Sequence, residues 1–285
     1  MNQHSSIIFF TIEKSASVYM IGVLQKLSQE LGMTYLNYEG DFWVRGEEFK
    51  GVISDPKKTE EFLNPCGCIY GPFRGFYPEI PNIEKYKVIL MLRDPRDVLT
   101  SLYFSSAYSH HIPPAHEEKM MQFRKEAIDS RIDDYVLNKI HSILGRYYEY
   151  AQHCLGKEHV LFVKYEEMVS DFSGWLNTVI DFLEIEVSQE FINKLVKEAD
   201  FKVAEENPYA HKRQVTPGDH KRKLRVKTIV RLSLEFQEIL KKFNWVSNGI
   251  QEELELYQLN LDRARKQLKR SQVQLQQHLV QLKHK

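Results

Sequence analysis

"FFTIEKSASVYM", residues Phe9 to Met20, passes from an apolar run through a lysine and small hydroxyl residues into apolar residues at helical spacing. The run begins at Ser6: "SIIFFT" is too short for a helix and nearly all apolar, the pattern of a strand covered on both faces. From Val18 onward Ile21, Leu24, Leu27 and Leu31 fall on one helical face, and Gly32 supplies a stop. A strand that hands over to a helix at Lys14 and Ser15 predicts an anion site, because helix N-termini present unpaired N–H groups and a positive dipole end.

The unit recurs. "YKVILML" (Tyr86 to Leu92) reads as another buried strand, and in the following "RDPRDVLTSLYF" Asp94 is placed to cap a helix with Pro95 at its first position. "HVLFVKYEEM" (His159 to Met168) reads as a third strand, after a mostly helical stretch from Ile128 to Cys154. Strands separated by helices predict a three-layer α/β domain around a central parallel sheet. Ligands in such sheets lie outside the carboxyl ends of the strands, where Lys14 offers a point charge and Arg93 a planar fork suited to phosphate.

Around this frame, Asp41 to Pro81 is rich in Gly, Pro and aromatics, which predicts loops or short elements. Glu39 is expected to end the strand after the first helix, with Glu39 and Asp41 on the same side of it. Thr228 to Phe243 reads as one amphipathic helix. Residues 1–247 form the expected domain, and 248–285 a helical tail in which Leu254, Leu261, Leu268, Leu275 and Leu282 recur every seven residues. The companion positions Tyr257, Ala264, Ser271 and His278 suit a helix packed on its own domain or a modest homodimer.

The 285 residues carry 39 basic and 39 acidic side chains, so composition points to one soluble domain and gives no cause to expect nucleic acid as the main partner. Three cysteines give no disulfide framework, and a reduced, cytoplasmic protein is expected; no stretch is long and apolar enough for a transmembrane segment. Cys66 and Cys68 lack a second pair, and His110, His111 and His116 in "SHHIPPAH" lack a recognised ligand framework, so no metal is assigned. That histidine segment is expected to be a mobile loop over an acceptor pocket. Neither G-x-x-x-x-G-K-[ST] nor G-x-G-x-x-G occurs at the first strand, which disfavours triphosphate and dinucleotide chemistry.

"TIEKSASVY" (Thr11 to Tyr19) resembles the 5′-phosphosulfate loop T-Y-P-K-S-G-T-T-W of sulfotransferases that use 3′-phosphoadenosine 5′-phosphosulfate (PAPS). Lys14 and Ser15 match, Ser17 keeps a hydroxyl, and Ala16, Val18 and Tyr19 stand for glycine, threonine and tryptophan. "RDPRDVLTSLYF" resembles the family's 3′-phosphate segment R-N-P-K-D-V-x-V-S-Y-Y, which places Arg93 and Ser101 on its phosphate-binding arginine and serine. "VKYEEM" (Val163 to Met168) is similar to F-Y-E-D-M at the end of a later core strand. "EADFKVAEENPYAHKRQVTPGDH" (Glu198 to His220) resembles T-S-F-x-x-M-x-x-N-P followed by R-K-G-x-x-G-D-W. The resemblance puts Phe201 against an adenine and Arg213, with Gln214 and Val215 beside it, on a loop over the 3′-phosphate. Ala199 departs from an adenine-contacting threonine, and His220 from a tryptophan.

The resemblance implies sulfuryl transfer from PAPS to a hydroxyl or amine of a small-molecule or glycan acceptor, leaving 3′-phosphoadenosine 5′-phosphate (PAP) and needing no metal. Lys14 would contact the bridging oxygen, and Ser15, Ser17 and the neighbouring backbone the 5′-phosphate. Cytosolic members carry a histidine base in K-T-H-L-P; the corresponding "IYGPFRGFYPEIP" (Ile69 to Pro81) has none. Glycan-modifying and tyrosyl-protein members use a glutamate after the first helix, which makes Glu39 and Asp41 the candidates here, with His110 and His111 behind them. Arg74 would either hold an acidic acceptor or orient a carboxylate, or sit on the surface without a function. The other classes that fit are a non-catalytic phosphonucleotide-binding protein and a small-molecule kinase.

Overall fold

In the computed structural model, which describes residues 4–53 and 56–245 and singly 266, 269 and 271, the anticipated α/β layers surround a parallel sheet. Apart from those three positions, the tail 248–285 with its leucine repeat lies outside the described residues. The strands are β1 (Ile7–Thr11), β2 (Thr34–Leu36), β3 (Cys68–Phe73), β4 (Lys87–Leu92) and β5 (Val160–Lys164), in the spatial order β2-β3-β1-β4-β5. The helices of the first half are α1 (Ser17–Leu31), α2 (Tyr38–Arg45), α3 (Phe49–Val52), α4 (Pro56–Phe62), α5 (Pro95–Phe104), α6 (Glu117–Asp129), α7 (Ile132–Asn138) and α8 (Ile140–His153). Those of the second half are α9 (Tyr165–Ser170), α10 (Phe172–Leu183), α11 (Gln189–Glu198), α12 (Asp219–Lys223), α13 (Val226–Glu235) and α14 (Gln237–Lys242).

Two-residue alternation splits the core. Ile7 and Phe9 pack with Met20, Leu24 and Leu27 of α1 and Trp175 of α10, whereas Ile8 and Phe10 join Tyr70, Leu90, Tyr147 and Phe236 on the opposite face. Ile7 to Thr11 run in register beside Lys87 to Met91. The chain goes out from β1 to β2 on one side and continues to β4 and β5 on the other, so the loops after β1 and β4 meet where the direction reverses.

Three boundaries differ from those expected. The strand after α1 stops at Leu36, because the Asn37 side chain accepts from the Gly40 amide (3.2 Å) and caps α2. Glu39 and Asp41 therefore occupy the first turn of a helix, where residues two apart point to different sides. The segment His159 to Met168 is strand only from Val160 to Lys164; Glu166 and Glu167 then stand in the first turn of α9, where the helix dipole favours acids. The helix expected over Thr228 to Phe243 is two, starting at Val226 and bending at Phe236, and the bend lets Leu232, Phe236, Ile239 and Phe243 enter one core.

Strand β3 lies in the region expected to hold short elements. Its Gly71 has a φ of 112°, and a Cβ there would stand 2.6 Å from the Phe9 carbonyl oxygen on β1. Gly71→Ala is therefore expected to cost about 1–3 kcal/mol, seen as a lower denaturant midpoint; an unchanged midpoint would show that the β1–β3 register can shift.

Candidate active site

The strand ends are fixed first. Thr11 Oγ1 donates to the Met91 carbonyl (2.8 Å) and ties β1 to β4. Tyr150 of α8 donates to the Thr11 carbonyl (2.6 Å), and Tyr147, one turn earlier, donates to the Arg93 carbonyl. Burial raises both phenols well above their ordinary pKa, so they stay protonated and remain donors. Arg146 of the same helix pairs with Glu13 in the loop after β1.

The first loop turns sharply. Lys14 (φ 66°) and Ala16 (φ 59°) are left-handed without being glycine, a strain of about 1–2 kcal/mol each. In return Ser15 and Ser17 are buried at the start of α1, with Val18 outward. The Lys14 ammonium donates to Ser105 Oγ (2.9 Å), just past the end of α5. Burial and the Arg93 charge pull its pKa down from 10.5 to about 8.

Arg93 is 2% exposed. Its Nη1 donates to the Lys14 carbonyl (2.9 Å), its guanidinium covers the Tyr165 ring at 4.5 Å, and Nη2 lies 3.8 Å from Asp97. Arg93 Nε and Nη2 and Ser15 Oγ are buried and make no hydrogen bond among the described residues. Buried donors of this kind are costly unless something accepts from them. Side by side on adjoining loops, they fit an anionic ligand with several oxygens.

The loop after α11 is drawn onto the same place. Gly218 and His220 amides donate to the Asp97 carboxylate (2.7 and 2.9 Å), and His220 Nδ1 is 2.6 Å from it. Burial would raise the Asp97 pKa, but the hydrogen bond from His220 and the Arg93 charge outweigh it and hold the carboxyl well below the usual range. His220, which departs from tryptophan in the resemblance, is thus the anchor of this loop. Arg213 donates to Glu206 and Asp219 and lies 3.9 Å over the Phe104 ring, so the structure brings it to the end of α5 through acidic partners of its own. Gln214 accepts from the Val215 and Thr216 amides, and the Val215 carbonyl accepts from Tyr165 (2.9 Å). Ser101 stands half-buried along α5, and Phe201 meets Tyr19 edge-on at 5.0 Å with Phe172 beside both.

Glu39 belongs to the site through Arg74. Its carboxylate accepts from the Arg74 amide (2.7 Å), Arg74 Nη1 (3.0 Å) and the Tyr77 hydroxyl (2.9 Å), and Arg74 reaches Ser17 Oγ at 3.2–3.3 Å. Of the two readings of Arg74, the structure shows the one in which it is paired with a carboxylate. Asp41 is exposed. Sequence reasoning missed Asp97, whose signal was its place one turn into α5 beside Arg93, and Ser105, which carried none. His116 stacks on Trp43 at 3.7 Å and bonds its carbonyl, and the three cysteines are free thiols.

An open parallel sheet with two cation-bearing loops at its reversal point is an α/β arrangement able to receive phosphate-like anions. The chain belongs to the sulfotransferase domain family, whose model matches residues 78–243 and so includes Arg93, Ser101, Phe201 and Arg213. It is 23% identical over 206 residues to Sulfotransferase 2B1 of Rattus norvegicus, covering 70% of this chain and 56% of that protein. It is 30% identical over 135 residues to the 3-beta-hydroxysteroid sulfotransferase of Cavia porcellus, covering 46% and 42%. The match spans about half the length of these curated relatives. Among solved structures, mouse sulfotransferase SULT7A1 complexed with PAP aligns with a TM-score of 0.60 at 18% identity, covering 88% of each chain, which is a likeness of fold. Among the described residues no helix is long and apolar enough to cross a membrane.

Proposed function

We propose that this protein transfers a sulfuryl group from PAPS to a hydroxyl or amine of a small-molecule or glycan acceptor, in the cytoplasm. The observation that carries the reading is the set of buried donors on Ser15 and Arg93 that make no hydrogen bond among the described residues, next to a lysine held by Ser105 at the sheet's reversal point. PAPS, when bound, supplies the sulfuryl group and leaves as PAP. Lys14 and the α1 amides face the 5′ side and stabilise the negative charge that grows on the leaving oxygen. Arg93, Ser101 and Arg213 face the 3′-phosphate, and Tyr19 and Phe201 take the base. The fold likeness to a sulfotransferase complexed with PAP supports this nucleotide. Calorimetry is expected to show PAP bound much more tightly than AMP, which lacks the 3′-phosphate; equal affinities would sink the reading.

In this arrangement Glu39 is a positioning residue: it sets Arg74, and Arg74 sets Ser17. Glu39→Gln keeps the shape but weakens the ion pair, so nucleotide affinity and turnover are expected to fall together, about tenfold. A fall of roughly 10²–10⁴ in turnover with nucleotide affinity unchanged would instead make Glu39 the general base.

A further inference from the structure

We infer that His110 is the group that removes the acceptor's proton, delivered to the sulfuryl side of Lys14 by the π-helical turn that follows α5. This assignment rests on the sulfotransferase reading above and adds a residue to it.

The geometry begins with the turn itself. After Phe104 the chain continues through Ser105–Ser109 as a π-helical turn, closed by the His110 amide donating to the Ser105 carbonyl (2.8 Å). Single π turns within or beside α-helices frequently mark functional sites, since the wider turn re-aims the side chains that follow it. The residue whose carbonyl closes this turn is also the residue whose hydroxyl takes the Lys14 ammonium. Two bonds therefore fix His110 relative to Lys14. The turn is braced from its far side: Arg124 of α6 donates to the His110 carbonyl (2.6 Å), and Tyr135 of α7 donates to Ser106 Oγ (3.0 Å). His110 is half-buried and its ring has no hydrogen bond among the described residues, whereas His111 is exposed and His116 is spent on Trp43. Of the three loop histidines, His110 alone combines proximity to Lys14 with a free ring.

Its surroundings keep it unprotonated. Burial, then the charges of Lys14 from the β1–α1 loop, Arg124 from α6, His211 from the loop before α12 and Arg74 after β3, bring its pKa down from 6.5 to about 4. A neutral imidazole can accept a proton at neutral pH, and an anionic nucleotide beside Lys14 and Arg93 would offset those cations and raise its basicity when it is needed. In the step, the acceptor O–H proton passes to a ring nitrogen of His110 and the acceptor oxygen bonds to sulfur. The bond from sulfur to the 5′-phosphate oxygen breaks, its electron pair leaves with PAP, and His110 later releases the proton to water.

The assignment can be tested without a known acceptor. Titrating PAP into the protein at pH 5.5 in two buffers of different ionisation enthalpy measures the protons taken up. The wild type is expected to take up about half a proton more than His110→Gln, with the PAP affinities of the two within about twofold at pH 7.5. Release of sulfate from PAPS with water as the acceptor is expected to fall at least tenfold in His110→Gln and to stay unchanged in His111→Gln. Equal proton uptake in wild type and His110→Gln overturns the assignment, as does unchanged sulfate release in His110→Gln. Neither result touches the sulfotransferase reading, which stands or falls on the preference of the wild type for PAP over AMP.

Discussion

Replacing Lys14 with methionine is expected to give a protein that resists unfolding better at pH 7 and has lost about 10²–10³ in sulfuryl-transfer turnover. Lys14 is desolvated, and the charges of Arg93, Arg213 and Arg74 oppose its own while that of Glu13 favours it. Its folded pKa of about 8 lies below the ordinary 10.5, so the charged form is disfavoured by folding. That penalty is present in full below pH 8 and is relieved as pH rises from 8 to 10.5. After allowance for solvent screening it is on the order of 2 kcal/mol. Methionine keeps the length and apolar stem without the charge, at the loss of one hydrogen bond to Ser105. The stability gap should narrow between pH 8 and 10.5, and over the same window the wild type should lose affinity for PAP as its ammonium is neutralised. A lower unfolding midpoint for Lys14→Met at pH 7 would show that the Ser105 bond outweighs the buried charge.

The position of Lys14 in the chain is also what makes this region readable from sequence. A lysine between an apolar run and a helical face has no packing reason to be there, and Arg93 after the second such run has none either. What stayed hidden depended on backbone choices or on distant partners. β3 was obscured because its Gly and Pro read as turn residues, while in the fold Gly71 serves a close approach to β1. α2 stands where the alternating pattern predicts the end of a strand, because the Asn37 cap outweighs that weak pattern. His220 looked like the loss of an aromatic contact. Its partner Asp97 lies on α5, far away in sequence, and no local pattern announces a pair of that separation. Tyr147 and Tyr150 fit any amphipathic helix, and only the sheet shows that their hydroxyls meet the two strand ends.

Arg93→Lys separates a phosphate ligand from a structural cation. The positive charge beside Asp97 and Tyr165 is kept, so the fold should survive where Arg93→Ala would leave Asp97 without one of its two main partners. What is lost is the fork. In the wild type Nη1 is used on the Lys14 carbonyl while Nε and Nη2 make no hydrogen bond among the described residues, so one guanidinium can brace the first loop and still present two donors to an anion. A single ammonium at the end of a flexible stem cannot do both. Each charge-assisted hydrogen bond is worth about 1.5–3 kcal/mol, so PAP affinity should fall by roughly tenfold or more. AMP affinity should change little, because AMP offers no 3′-phosphate, and the preference for PAP should therefore collapse. Calorimetry with both nucleotides on both proteins decides it. Parallel losses for PAP and AMP would mean that Arg93 acts only by holding the Lys14 loop in its left-handed turn, and the 3′-phosphate would then have to be received by Ser101 and by an Arg213 released from Glu206 and Asp219.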